Sequence, residues 1–231
     1  MPNNISNKSS NVIDIFSKKP VIKNYNLPLI RLAPETDGVV MLYANDANPG
    51  KLFSLKILGW GLQSNGEIVG LVPWLNEVVT CPELRDPLNG HWEGYFNQTT
   101  GDVFYVAPDH KVVELRAAQQ YYQALPDANN PTYVQEITDA IGTHAIFATT
   151  DGKGLEMAEI FSWRLTPEGN VQAMLVNPSK VKTTPILLGD ESLYPLQSEP
   201  SFVYYFQYRI ANRIKNEDPD AIKAIALLMD H

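Results

Sequence analysis

Short apolar runs closed by glycine-centred turns recur along this chain of 231 residues, and they limit its fold more than any other feature. Leu52 to Leu62 and Glu67 to Leu75 flank Gln63-Ser64-Asn65-Gly66, and Asn-Gly between two apolar runs is the strongest short-range hairpin signal. Val39 to Tyr43 is a β-favouring run closed by Asn-Asp-Ala-Asn-Pro-Gly at 45 to 50. Thr99-Thr100-Gly101-Asp102 introduces Val103 to Val106, whose apolar continuity predicts a strand covered on both faces. Two further turn-closed pairs are expected around Asp151 to Gly154 and around Thr166 to Asn170.

Helical spacing interrupts this pattern. Leu115, Ala118 and Tyr122 recur on one face of Lys111 to Leu125, ended by Pro126, and a second helical stretch is expected from Tyr133 to Ile141, stopped by Gly142. Near the C-terminus Phe202, Phe206, Arg209, Ile210, Arg213 and Ile214 step by three and four, and Asp218-Pro219 caps a last helix carrying Ile222, Ile225, Leu228 and Met229. No regular βαβ alternation appears, which disfavours doubly wound and barrel α/β folds. The expected class is α+β: a predominantly antiparallel sheet (roll, sandwich or partly open barrel) with a helical insertion at about 111–142 and a C-terminal helical pair at about 201–229. The glycine-centred turns are unevenly spaced, so no repeat of the propeller or solenoid kind is expected.

Residues 1–26 read as a flexible basic tail and 27–231 as a single domain, because no Gly/Ser- or Pro-rich linker divides the remainder. Residues 1–31 carry Lys8, Lys18, Lys19, Lys23 and Arg31 against Asp14, a local +4 that leaves −12 for the rest of a chain whose net charge is −8. Such an acidic body repels a phosphate backbone, so nucleic acid is not an expected partner. Within the tail, Val12, Ile13, Ile15 and Phe16 form an apolar island suited to folding back on the body or docking on a protein partner. The first twenty residues lack a signal-peptide core and no run is long enough to span a bilayer, so a cytoplasmic location without membrane contact is expected. The single cysteine, Cys81, excludes an intramolecular disulfide and a thiolate-rich zinc site.

The most chemically suggestive stretch is Gly90-His91-Trp92-Glu93-Gly94-Tyr95. On a regular strand His91, Glu93 and Tyr95 share one face and Trp92 takes the other, which sets an imidazole beside a carboxylate as general base and orienting acid, or as half of a metal site. The second histidine such a metal site needs is absent nearby, so no metal and no cofactor are expected, and His110 and His144 join only if the fold brings them in. Cys81 is flanked by Glu77, Glu83 and Asp86, a field that opposes a thiolate. Gly189-Asp190-Glu191-Ser192 lacks the nucleophile-elbow pattern, and Asp151-Gly152-Lys153-Gly154 is too short for a phosphate loop. Trp60, Trp74 and Trp92 can line an apolar or sugar-facing groove, or pack in the core. Phe202, Tyr205, Phe206 and Ile210 crowd the expected C-terminal helix, which must then be covered by the sheet, by the last helix or by a second subunit.

Apolar surface thus outweighs catalytic residue types. The expected function is that of a non-enzymatic cytoplasmic protein acting through protein–protein contact or self-association as a homodimer, with the tail offered to a partner. The alternative is a small-ligand- or metal-binding enzyme, hydrolase-like, with a pocket around His91 and Glu93.

Overall fold

The computed structural model describes residues 27–45, 52–84, 90–122, 133–150, 154–182 and 184–207. Among the described residues strand accounts for 51% and helix for 12%, in four small antiparallel sheets arranged like those of a β-propeller, so the fold is not the α+β class expected. One α-helix is found among the described residues, α1 (Asp109–Tyr122), which matches the first half of the expected helical insertion. The second half is strand instead: Tyr133 to Ile141 contains β9 (Gln135–Thr138), held by pairing with a neighbour and too short for a helical period to mean anything. The start of the expected C-terminal pair is likewise a strand, β15 (Phe202–Gln207). Its Phe-Val-Tyr-Tyr-Phe run is aromatic and β-branched, which favours a pleated surface, and buried aromatics on both faces imitate a helix buried all round. The remainder of that pair, with Ile210, lies outside the described residues, as does the 1–26 tail.

The first sheet orders β1 (Leu29–Pro34), β4 (Gly59–Gln63), β5 (Ile68–Trp74) and β6 (Glu77–Thr80). The second orders β3 (Leu52–Lys56), β2 (Val39–Asn45), β7 (Gly90–Asn97) and β8 (Val103–Phe104). The Leu52 to Leu62 run is therefore two strands in two sheets. Val103 to Val106 is a two-residue edge strand followed by an exposed Val106, not a strand covered on both faces. The third sheet orders β14 (Leu193–Pro195), β13 (Val171–Val176), β12 (Ser162–Leu165) and β9, and the fourth β11 (Leu155–Glu159), β10 (Thr143–Ala148) and β15.

These strands follow one plan twice. In each half a first strand pairs with the fourth, the hairpin between them crosses to a neighbouring sheet, the fourth to sixth form a meander, and the seventh returns to the hairpin. The registers coincide: Ala33 opposite Trp60 corresponds to Ile137 opposite Trp163, Met41 opposite Leu55 to Ala145 opposite Ala158, and Met41 opposite Tyr95 to Ala145 opposite Tyr205. Even the register shift between Leu42 and Tyr43 recurs between Ile146 and Phe147. Both sixth strands run into short 3-10 turns, Cys81–Glu83 and Leu196–Ser198. The hairpin loops Ser64-Asn65-Gly66 and Pro167-Glu168-Gly169 close alike. Gly66 N–H donates to the Gln63 carbonyl (2.9 Å) and Gly169 N–H to that of Thr166 (3.0 Å), with glycine φ of 84° and 87°. That is a type I turn ended by a left-handed residue, the three-residue hairpin form.

A repeat was not expected because the plan interleaves its sheets. A propeller blade is normally one consecutive meander, which gives a period in sequence. Here each hairpin leaves its neighbours for another sheet, and the loops before and after the sixth strand differ in length, so the surviving sequence echo is Ile57, Trp60, Leu62 and Gly66 against Ile160, Trp163, Leu165 and Gly169.

The same clamp holds both halves. Beyond β1, Glu35 Oε1 accepts the Asp37 and Val39 amides (2.6 and 3.0 Å) while Oε2 accepts the Trp60 indole N–H (2.7 Å). Beyond β9, Asp139 Oδ2 accepts the Gly142 and Thr143 amides (both 2.8 Å) and Oδ1 accepts the Thr143 hydroxyl (3.0 Å) and the Trp163 indole N–H (2.8 Å). Each carboxylate thus satisfies a buried tryptophan and fixes the turn that sends the hairpin away. The core follows: one cluster packs Trp60, Met41, Ile57 and Tyr95 under Leu115 of α1, while another joins Leu58, Val69 and Leu71 of the first half to Trp163, Leu165, Leu175 and Tyr205 of the second. Asp139→Ala and Glu35→Ala are each expected to cost about 2–4 kcal/mol, because each strands a buried indole N–H and several turn amides. Chemical denaturation midpoints check this; a loss in one half only would separate the two clamps.

Candidate functional site

β7 carries the residues singled out in sequence. His91 Nε2 lies 2.7 Å from Glu93 Oε1, with the imidazole half-exposed and the carboxylate nearly covered. The rest of the expected face is rearranged by the register shift, which sets Trp92 opposite Tyr43 and Gly94 opposite Leu42 with Glu93 as the bulge residue between them. Gly94 takes φ 129°, where a side chain would be strained. Tyr95 consequently shares its side with Trp92, their rings 5.3 Å apart edge to face, and packs on Trp60 at 4.8 Å. Its hydroxyl accepts the Gly70 amide (2.8 Å), so Tyr95 is a core residue removed from the His91–Glu93 pair.

The other two described histidines have acids of their own. His110, at the start of α1, meets Asp37 at 2.7 Å, and His144 on β10 lies 3.8 Å from Glu159. Three imidazoles on three elements, each with a separate carboxylate, do not form one centre, and no group of three metal-ligating side chains is found among the described residues. Burial alone works against ionisation of Asp37, but the hydrogen bond from His110 and the charges of Lys111 and His110 outweigh it and hold this carboxyl below the usual range. A lowered folded value stabilises the fold above the ordinary aspartate range and loses that contribution as pH falls through the folded value. His110→Ala is expected to move the Asp37 titration up toward its ordinary value, as carboxyl NMR would record.

Cys81 is fully buried beneath Tyr95 and Gly70, and burial pushes its thiol far up, out of reach of a thiolate. Thiol reagents are expected to leave the native chain unlabelled and to modify one cysteine per chain in denaturant; fast native labelling contradicts this placement. Ser192 is buried in a loop where Asp190 accepts its amide (2.8 Å) and Glu191 pairs with Lys182 (2.6 Å). Residues 151–153 lie outside the described residues.

The aromatic candidates are the two copies of one core triad. Trp60, Tyr95 and Trp92 correspond to Trp163, Tyr205 and Phe202: Trp163 lies 5.4 Å from Tyr205, which lies 5.0 Å from Phe202. Trp60 has no exposed surface, so the three tryptophans do not make a common surface, and Trp74 packs separately against Tyr43. Phe206 is buried beside Ile146 and Tyr204.

Sequence reasoning missed a groove. About 500 Å³ of open space lies among Asp139, Ala158, Glu159, Phe161, Leu175 and Tyr194 in the second half. By register these residues stand where Glu35, Leu55, Lys56, Leu58, Val72 and Val79 stand in the first half. There β15 meets part of that surface: Leu58 packs in one cluster with Tyr205, the Gln207 side-chain amide accepts the Lys56 N–H (3.1 Å) and donates to the Lys56 carbonyl (2.7 Å), and the Tyr205 N–H donates to the Leu75 carbonyl (2.6 Å), while Leu55 and Val72 belong to the core around Trp60. A second glutamine, Gln135, spans Leu32 the same way at 2.9 and 2.7 Å, joining β9 to β1. The signal in sequence is weak, since a buried glutamine at a strand end marks such a contact only once the register is known.

No family model, curated protein or solved structure matches this chain.

Proposed function

We propose that the protein is non-enzymatic, acts in the cytoplasm through protein–protein contact, and self-associates. The observation that carries this reading is the groove between Asp139 and Tyr194, because its counterpart in the first half is already a site where one polypeptide strand receives another. The single His–acid pairs spread over three elements give it further support, since acid–base chemistry on one substrate needs its groups within hydrogen-bond reach of a common point. Among the described residues no helix is long and apolar enough to cross a membrane, which agrees with an aqueous setting.

One observation favours the enzymatic alternative. Glu93 stands where the second half has Val203, so the His91–Glu93 pair is a departure from the shared plan, with a carboxylate buried where an aliphatic side chain sits. Sedimentation velocity over a range of concentrations separates the two readings. Reversible association that survives His91→Ala and Glu93→Gln supports the interaction reading; a chain that stays monomeric throughout, with a small ligand lost on those substitutions, supports the alternative.

A further inference from the structure

We infer that the groove of the second half binds an extended, basic segment of a partner protein, which presents a side-chain amide to the backbone of Glu159. This deepens the interaction reading and rests on it. The geometry comes from the occupied counterpart. In the first half Lys56 closes β3 opposite Val40, and its N–H and carbonyl face away from β2 into the amide of Gln207. In the second half Glu159 closes β11 opposite His144 in the same register, which turns its N–H and carbonyl toward the groove. The part of the surface that joins the two halves at Lys56 and Leu58 therefore recurs at Glu159 and Phe161, beside Ala158 and Leu175, without a strand of the described residues across it.

Charge selects the occupant. Lys56 is replaced in the second half by Glu159, whose side chain is 86% exposed, and none of the residues lining the groove is basic. An extended segment with lysine or arginine flanks gains here by complementarity, while its backbone and amide supply strand-like hydrogen bonds. The loop after β13 differs from the tight Leu75-Asn76 turn of the first half, so the amide contact at Glu159 and the apolar floor, rather than a copy of the Tyr205–Leu75 bond, define the site.

The test uses the full chain and a labelled synthetic peptide with the Phe202–Gln207 sequence between lysines, read by fluorescence polarisation. Saturable binding is expected, with a loss of at least about tenfold for Ala158→Trp, which fills the groove, or for a peptide with alanine in place of the glutamine. The exposed Glu159→Lys change, which leaves the core untouched, is expected to weaken the lysine-flanked peptide and strengthen a glutamate-flanked one. Absence of saturable binding, or binding indifferent to both groove substitutions, overturns the inference. So does competition by a peptide of residues 1–26, which makes the chain's own tail the occupant, or loss of self-association on peptide addition, which makes it a second copy. Self-association that persists while the peptide fails to bind removes the groove inference alone and leaves the interaction reading standing; failure of both removes both.

Discussion

A buried indole N–H must find an acceptor, and in this protein that requirement organises each half. Trp60 and Trp163 sit at the centre of their cores without exposed surface, and the carboxylates that accept from them come from the turn just beyond the first strand of each half. Because Glu35 and Asp139 also gather the amides of those turns, the direction in which each hairpin leaves its sheet is tied to the position of the tryptophan. Packing then follows from that crossing, since the hairpin's free edge pairs with the seventh strand and brings Tyr95 or Tyr205 onto the ring. A charged group held by several hydrogen bonds costs little to bury, whereas the same group with one partner removed is expensive, so the clamp behaves as a unit.

The antiparallel character was legible in the turns. Gly66 and Gly169 close hairpins where the sequence placed them, and α1 begins near Lys111 as its spacing predicts. What failed were short segments whose period is ambiguous: Phe202 to Gln207 and Gln135 to Thr138 are strands because β10 and β12 pair with them, a long-range fact that no local window holds. The repeat escaped for a related reason, since pairing and register are preserved while most side chains have changed.

The candidate site was legible only in part. His91 and Glu93 do meet, as two residues flanking one position on a strand can, but the register shift that carries Tyr95 away from them depends on the pairing of β2 with β7. Trp92 and Phe202 were singled out for different reasons and turn out to hold equivalent places beside equivalent tyrosines. Aromatic density in sequence therefore marked the cores, one of the two readings it offered. The groove could not be seen at all, because it is defined by a contrast between two halves whose equivalence lies in strand register, which no local stretch of sequence carries.

β8 has a consequence for what this architecture avoids. The second half reaches the first through the outer edge of β15, a head-to-tail contact that a chain of such units could repeat without limit. The corresponding edge of β7 is closed by β8, through Tyr95 opposite Phe104 and Phe96 opposite Val103. Two residues of strand thus act as a terminator: they take the hydrogen bonds by which another unit would join, and so keep a pair from growing into a filament.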